Sequence, residues 1–184
     1  MSKLKNKGMS IGLKSVAVLT LVCVASAFSL GLFHELVEGK IKESEQAQVE
    51  QSLSQIFPSA EFEELENNTY QATQNGETVG YVGIAKGRGY GGFTVGFIKI
   101  AVGINLDGTI EKIRIISQSE TPGIGSKITE SWFLKQFENK SKEEIKLLDE
   151  GGEIDAITGA TISSQAVVET VREEIETLKN MTEG

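Results

Sequence analysis

Residues 69–116 read TYQATQNGETVGYVGIAKGRGYGGFTVGFIKIAVGINLDGTIEKIRII. Two turn signals divide this run, Asn75-Gly76 and Leu106-Asp107-Gly108, both built from residues that tolerate positive φ. They separate Thr69–Gln74, Thr78–Ala85, Phe93–Ile104 and Thr109–Ile116, each rich in β-branched or aromatic side chains that suit a pleated surface. Strands joined by such short turns predict an antiparallel meander, because parallel pairs need a long crossover. The strand pattern runs from about Glu61 to Ser117.

Beyond it, helices dominate. Lys127–Phe137 is a short amphipathic candidate with Ile128, Trp132, Phe133 and Phe137 on its apolar face. Ile162–Lys179 is stronger, with Val167, Val168, Val171, Ile175 and Leu178 at near-helical spacing. A sheet covered by helices predicts an α+β domain over residues 58–184, large enough for its own core.

Before the sheet lies a different kind of chain. Ser15 to Phe33 carries no charge over nineteen residues, and with Ile11 to Leu13 it reaches the length of a membrane-crossing helix. Lys14 is long enough to snorkel. Lys3, Lys5, Lys7 and Lys14 give the first fourteen residues +4, so the remainder must sum to −12 for the whole to reach −8. Lysines before the apolar run and Glu35, Glu38, Glu43 and Glu45 after it place the N-terminus in the cytoplasm and the rest outside. Ala25-Ser26-Ala27 resembles a signal-peptidase site, yet Phe28, Leu30, Leu32 and Phe33 continue the apolar run past it. A lipoprotein reading at Cys23 meets the bulky Val22 where a small residue is wanted. The expectation is a cytoplasmic tip (residues 1–10), a retained single-pass anchor (11–33) and a helical stalk (34–57). Leu36, Val37, Ile41, Val49, Leu53 and Ile56 mark the stalk, which Pro58 ends.

Composition excludes several chemistries. An acidic domain behind a basic tip does not suit nucleic acid, which needs clustered Lys and Arg. With Cys23 alone, one chain builds neither a disulfide nor a Cys-ligated iron–sulfur cluster. With His34 the single histidine, a zinc site or a Ser-His triad has no basis, and no metal is expected. Redox or group-transfer chemistry must therefore come from an organic cofactor or a partner.

Asp155-Ala156-Ile157-Thr158-Gly159-Ala160-Thr161 leads into the C-terminal helix through small residues. The first turn of a helix leaves N–H groups unpaired and carries positive potential, so a phosphate is stabilised there, with the hydroxyls of Ser163 and Ser164 nearby. Read locally, the plainer alternative is stronger: Thr161 or Ser163 is an N-cap and nothing more. Gly87-Arg88-Gly89-Tyr90-Gly91-Gly92 is either a flexible hairpin loop or bare backbone kept for a partner. Glu120, Thr121, Pro122, Gly123, Ile124 and Gly125 read as a turn with Pro at its second position, or as a rigid loop laid against a flat ligand. Neither has P-loop or dinucleotide spacing.

Taken in order, these three segments resemble the FMN-binding domain family. The branch is the G subunits of Rnf-type ion-translocating ferredoxin:NAD oxidoreductase complexes, related to the C subunit of the sodium-pumping NADH:quinone oxidoreductase. Residues 155–161 fit the family pattern Asp-x-x-Ser/Thr-Gly-Ala-Thr/Ser without departure. The resemblance implies that a flavin transferase esterifies Thr161 with the phosphate of FMN, beside Thr158, Gly159 and Ala160. It implies that Thr121–Gly125 packs near the flavin ring, and leaves Lys127 either a neighbour of the flavin or an ordinary solvated lysine. It implies an electron relay on the outer face of the cytoplasmic (inner) membrane, without a complete active site or catalytic residue of its own. Its partners would be integral and peripheral subunits of the same complex, especially the D subunit with its own covalent FMN. Two alternatives stay open, another anchored FMN-domain oxidoreductase and a non-redox binding domain in which Thr161 is only a cap.

Overall fold

The computed structural model describes residues 2–66, 68–91 and 96–182. Ser2–Ile56 form one helix, α1. Within it Leu13–Phe33 spans 21 residues at a mean hydropathy of 2.4, with none of its side chains buried. It is long and apolar enough to cross a membrane. The chain divides into two compact units, the first ending at Ala47 and the second starting at Gln48. The stretch expected as a stalk is thus divided, and its last ten residues belong to the second unit. There Leu53, Ile56 and Phe57 are buried, and Ser59 at φ 65 turns the chain toward the sheet.

Five strands follow: β1 (Glu61–Glu64), β2 (Thr69–Gln74), β3 (Glu77–Arg88), β4 (Phe97–Asn105) and β5 (Ile110–Gln118). They pair antiparallel in the order β1-β2-β3-β4-β5, the meander expected from the turn chemistry. Asn75 (φ 54) and Gly76 (φ 84) both take left-handed backbone, the requirement of a two-residue hairpin turn whose twist matches its strands. At the β4–β5 turn Gly108 has φ 80 and donates its N–H to the Asn105 carbonyl at 2.9 Å. Asp107 accepts from the Thr109 N–H at 2.9 Å and the Thr109 hydroxyl at 2.6 Å. Those bonds hold its carboxyl below the usual carboxylate range. The strand expected over Phe93–Ile104 begins at Phe97, and residues 93–95 lie outside the described residues.

Both faces of the sheet are covered, which is why β4 is apolar almost throughout. One face carries Ile98, Ile100, Val102, Ile104, Ile110 and Ile113, packed with Val167, Val171, Ile175 and Leu178 of the C-terminal helix α3 (Thr161–Thr182). The other carries Val82, Ile84 and Ala101 under Leu53, Ile56 and Phe57. The helix expected over Lys127–Phe137 is three short pieces instead: a 3-10 turn Gly125–Thr129, the single α-turn α2 (Ser131–Leu134), and a 3-10 turn Lys135–Phe137. Glu130 is the reason, since its extended backbone (φ −74, ψ 140) interrupts the helical hydrogen bonds.

Glu174 of α3 lies over Gly83 of β3, where its carboxylate loses water. Burial raises its pKa above the ordinary glutamate value. A carboxyl raised on folding stabilises the fold fully below its unfolded pKa and loses that contribution as pH rises through the folded value. Glu174→Gln is therefore expected to raise Tm at neutral pH. The gain should shrink as pH falls toward about 4, where glutamate protonates in either state. Thermal melts of the two chains across that range provide the check, and an equal gain at every pH would contradict this account.

Candidate functional site

The segment ahead of α3 is fixed at several points. Gln136 clamps the backbone of Asp155, accepting its N–H at 2.7 Å and donating to its carbonyl at 3.3 Å. Ile157 is buried, and the Ala160 N–H donates to its carbonyl at 2.8 Å. Gly159 at φ 79 occupies the third position of that turn, which makes it type II and leaves glycine the natural occupant. Ser164 ties the turn to the helix by accepting the Ile157 N–H at 3.0 Å and donating to the Ala160 carbonyl at 3.1 Å.

The first helical bond runs from the Ser164 N–H to the Ala160 carbonyl at 2.9 Å. Helix geometry leaves the N–H groups of Thr161, Ile162 and Ser163 without an intrahelical acceptor, so the positive end of α3 opens here. Thr161 itself is exposed.

A second type II turn stands opposite. The Ile124 N–H donates to the Thr121 carbonyl at 3.2 Å, with Pro122 second and Gly123 (φ 76) third. Ser126 braces it by accepting the Gly123 N–H at 2.9 Å. Glu120 precedes this turn and is 5 % exposed. Its carboxylate accepts the Tyr90 N–H at 3.0 Å and the Ser163 hydroxyl. One carboxylate thus draws together the loop after β3, the loop after β5 and the first turn of α3.

These segments enclose a cavity of about 520 Å³, within the range of small-molecule sites. Its walls include Glu120, Thr121, Ile124, Gly125, Gly159, Ala160, Thr161 and Ser163. Tyr90 and Ile162 complete the lining. Thr161 and Ile162 also border a neighbouring cavity of about 350 Å³, which Arg88 and Gln165 line. Thr161 therefore stands on the ridge between two hollows.

Of the residues expected at the site, eight line the larger cavity and five do not. Pro122 and Gly123 shape their turn, and Thr158 is the second residue of the other. Ser164 is fully buried, with its hydroxyl committed to the turn. It does not offer that hydroxyl to a phosphate. Ser163 lines the cavity, but its hydroxyl is given to Glu120. Lys127 is exposed and outside both linings. Ile162 was missed: inside a helical stripe an isoleucine reads as core, yet this one is 57 % exposed.

The residues present suit a flavin mononucleotide. Tyr90, Ile124 and Ile162 offer surface to a flat ring, Gly159, where a Cβ would meet open space, permits close approach, and the start of α3 suits a phosphate.

Comparison with known proteins agrees. The family described as the FMN-binding domain matches residues 89–176. The G subunit of the ion-translocating oxidoreductase complex of Vibrio atlanticus is 33 % identical over 189 residues, covering 89 % of this chain and 88 % of that one. The G subunit of the Na(+)-translocating ferredoxin:NAD(+) oxidoreductase complex of Acetobacterium woodii is 38 % identical over 141 residues, covering 73 % and 65 %. The crystal structure of Shewanella oneidensis NqrC shares the fold, with a TM-score of 0.50 at 18 % identity over 67 % of this chain and 68 % of that one. Shared sequence, an FMN-binding domain and a covered antiparallel sheet place the chain in the family of G subunits of ion-translocating oxidoreductase complexes.

Proposed function

We propose that this chain relays electrons within a membrane-bound ion-translocating complex through FMN joined by a phosphodiester to Thr161. The observation that carries this is the position of Thr161. It is the last residue of Asp155-Ala156-Ile157-Thr158-Gly159-Ala160-Thr161, exposed at the rim of the cavity and at the open end of α3. Bound FMN supplies a carrier that accepts and releases electrons singly or in pairs. The chain's residues do the rest. The N–H groups of Thr161, Ile162 and Ser163 stabilise the charge left on the phosphodiester. Tyr90, Ile124 and Ile162 shield the ring from water, while Thr121, Gly125, Gly159 and Ala160 keep its walls small. Thr158, Pro122, Gly123 and Ser164 hold the turns in shape. Attachment through phosphate leaves the ring free of covalent change and prevents loss of the cofactor.

The same reading places Leu13–Phe33 across the cytoplasmic (inner) membrane, with the N-terminal lysines inside and the FMN-binding domain outside. Partners would be other members of the complex, with the D subunit nearest for electron exchange, and a flavin transferase for maturation. Thr161 is an attachment point and takes no part as a nucleophile in electron transfer. The full chain, made in an exporting host with an active flavin transferase, is expected to keep flavin fluorescence through denaturing electrophoresis. A colourless, non-fluorescent band under those conditions would contradict the attachment.

A further inference from the structure

The cavity has one feature that a simple container does not require. Glu120 is almost wholly buried, and each carboxylate oxygen is met by one donor, the Tyr90 N–H or the Ser163 hydroxyl. Among the described residues no lysine or arginine forms a salt bridge with it. A Cβ at Gly89 would overlap one of its oxygens, and a Cβ at Gly125 would come within 2.7 Å of the other. Space on both sides is therefore left free for this carboxyl. Burying a carboxylate without a cation is costly. A neutral amide of the same shape would fill the same volume and accept the same Tyr90 N–H. Charge is what distinguishes the carboxylate from that amide: the first turn of α3 offsets part of its cost through Ser163, and Glu120 lines the cavity where the charge is felt.

We propose that Glu120 sets the reduction potential of the flavin held at Thr161, lowering it by placing an unpaired negative charge in the cavity wall. The inference rests on the flavin occupying this cavity. Adding an electron beside a negative charge is disfavoured, and the burial of Glu120 strengthens that effect, because little water screens its carboxylate. Ser163 tempers it, because its hydroxyl partly neutralises the carboxylate.

Two variants move the potential in opposite directions, which a loosened cavity would not do. Glu120→Gln removes the charge and keeps the shape, so the midpoint potential is expected to shift positive. Ser163→Ala removes the donor and keeps the charge, so the midpoint is expected to shift negative. The measurement is a mediated electrochemical titration of the full chain in detergent, loaded with FMN in the cell and checked by mass. An unchanged or lowered potential in loaded Glu120→Gln would overturn the proposal. If that variant is recovered without flavin, Ser163→Ala decides, and an unchanged or raised potential there overturns it. A wild-type chain that carries no FMN sinks the reading of Thr161 and this inference together, whereas a loaded wild type with unshifted variants sinks this inference alone.

Discussion

Gly96→Ala is expected to lower the stability of the domain by roughly 2–3 kcal/mol, at the upper end of an overpacking change, and to leave little flavin on the folded protein. Gly96 sits just before β4, and its carbonyl accepts the Gly89 N–H across the loop. A Cβ there would overlap the Tyr90 carbonyl, and its three nearest heavy atoms all belong to the Tyr90 backbone. A flexible side chain swings away at small cost, but the Tyr90 backbone is held by its N–H on Glu120 and by the bond from the adjoining Gly89 N–H to Gly96. Gly83 provides the contrast, because its crowding neighbour is the far end of the Glu174 side chain. Relief at Gly96 requires moving Tyr90, which pulls its N–H from Glu120 and opens one wall of the cavity. Melting temperature and bound flavin per chain, measured together, provide the test. A Gly96→Ala chain that matches wild type in both would show that this neck is not held as described.

Phe133→Ala is expected to cost about 3–5 kcal/mol, a large part of the 5–15 kcal/mol that typically holds a domain together. The ring is fully buried. It packs edge-on against Phe137 at 5.6 Å and 73° and against Trp132 at 6.0 Å and 77°. Phe137 beside it is likewise fully buried, and so tightly packed a core relaxes only partly into the space left behind. Phe133 lies outside the cavity lining, and the effect should fall on stability and not on flavin content per folded chain. Denaturant unfolding gives the number, and a loss below about 1 kcal/mol would mean that this cluster is looser than its burial indicates.

Much of the scaffold could be read from residues 69–116 because its signals are local. Asn75-Gly76 and Leu106-Asp107-Gly108 specify tight turns by backbone sterics alone, and two tight turns in series specify antiparallel neighbours. Pro122 and Gly123 gave the turn at 121–124 in the same way. The short strand β1 was less visible, since Glu61–Glu64 carries three glutamates and a single phenylalanine. Its strand character comes from pairing with β2. The broken helix at 125–137 was hidden for a similar reason, because apolar spacing cannot report that Glu130 turns extended.

At the site, the motif ending in Thr161 was legible, but the division of labour around it was not. Ser163 and Ser164 look alike in sequence as hydroxyls at a helix start. Only the fold gives one to Glu120 and the other to the turn of Ile157 and Ala160. Glu120 itself reads as an ordinary loop acid until three segments separated by 30 and 43 residues close around it.

The most direct test is an intact-mass measurement on the full chain purified from an exporting host that supplies an active flavin transferase. Wild type is expected to gain the mass of FMN less one water, and Thr161→Ala, with the same melting behaviour, to gain nothing. An unmodified wild-type chain, or a Thr161→Ala chain that carries the same added mass, would contradict the attachment of FMN at Thr161.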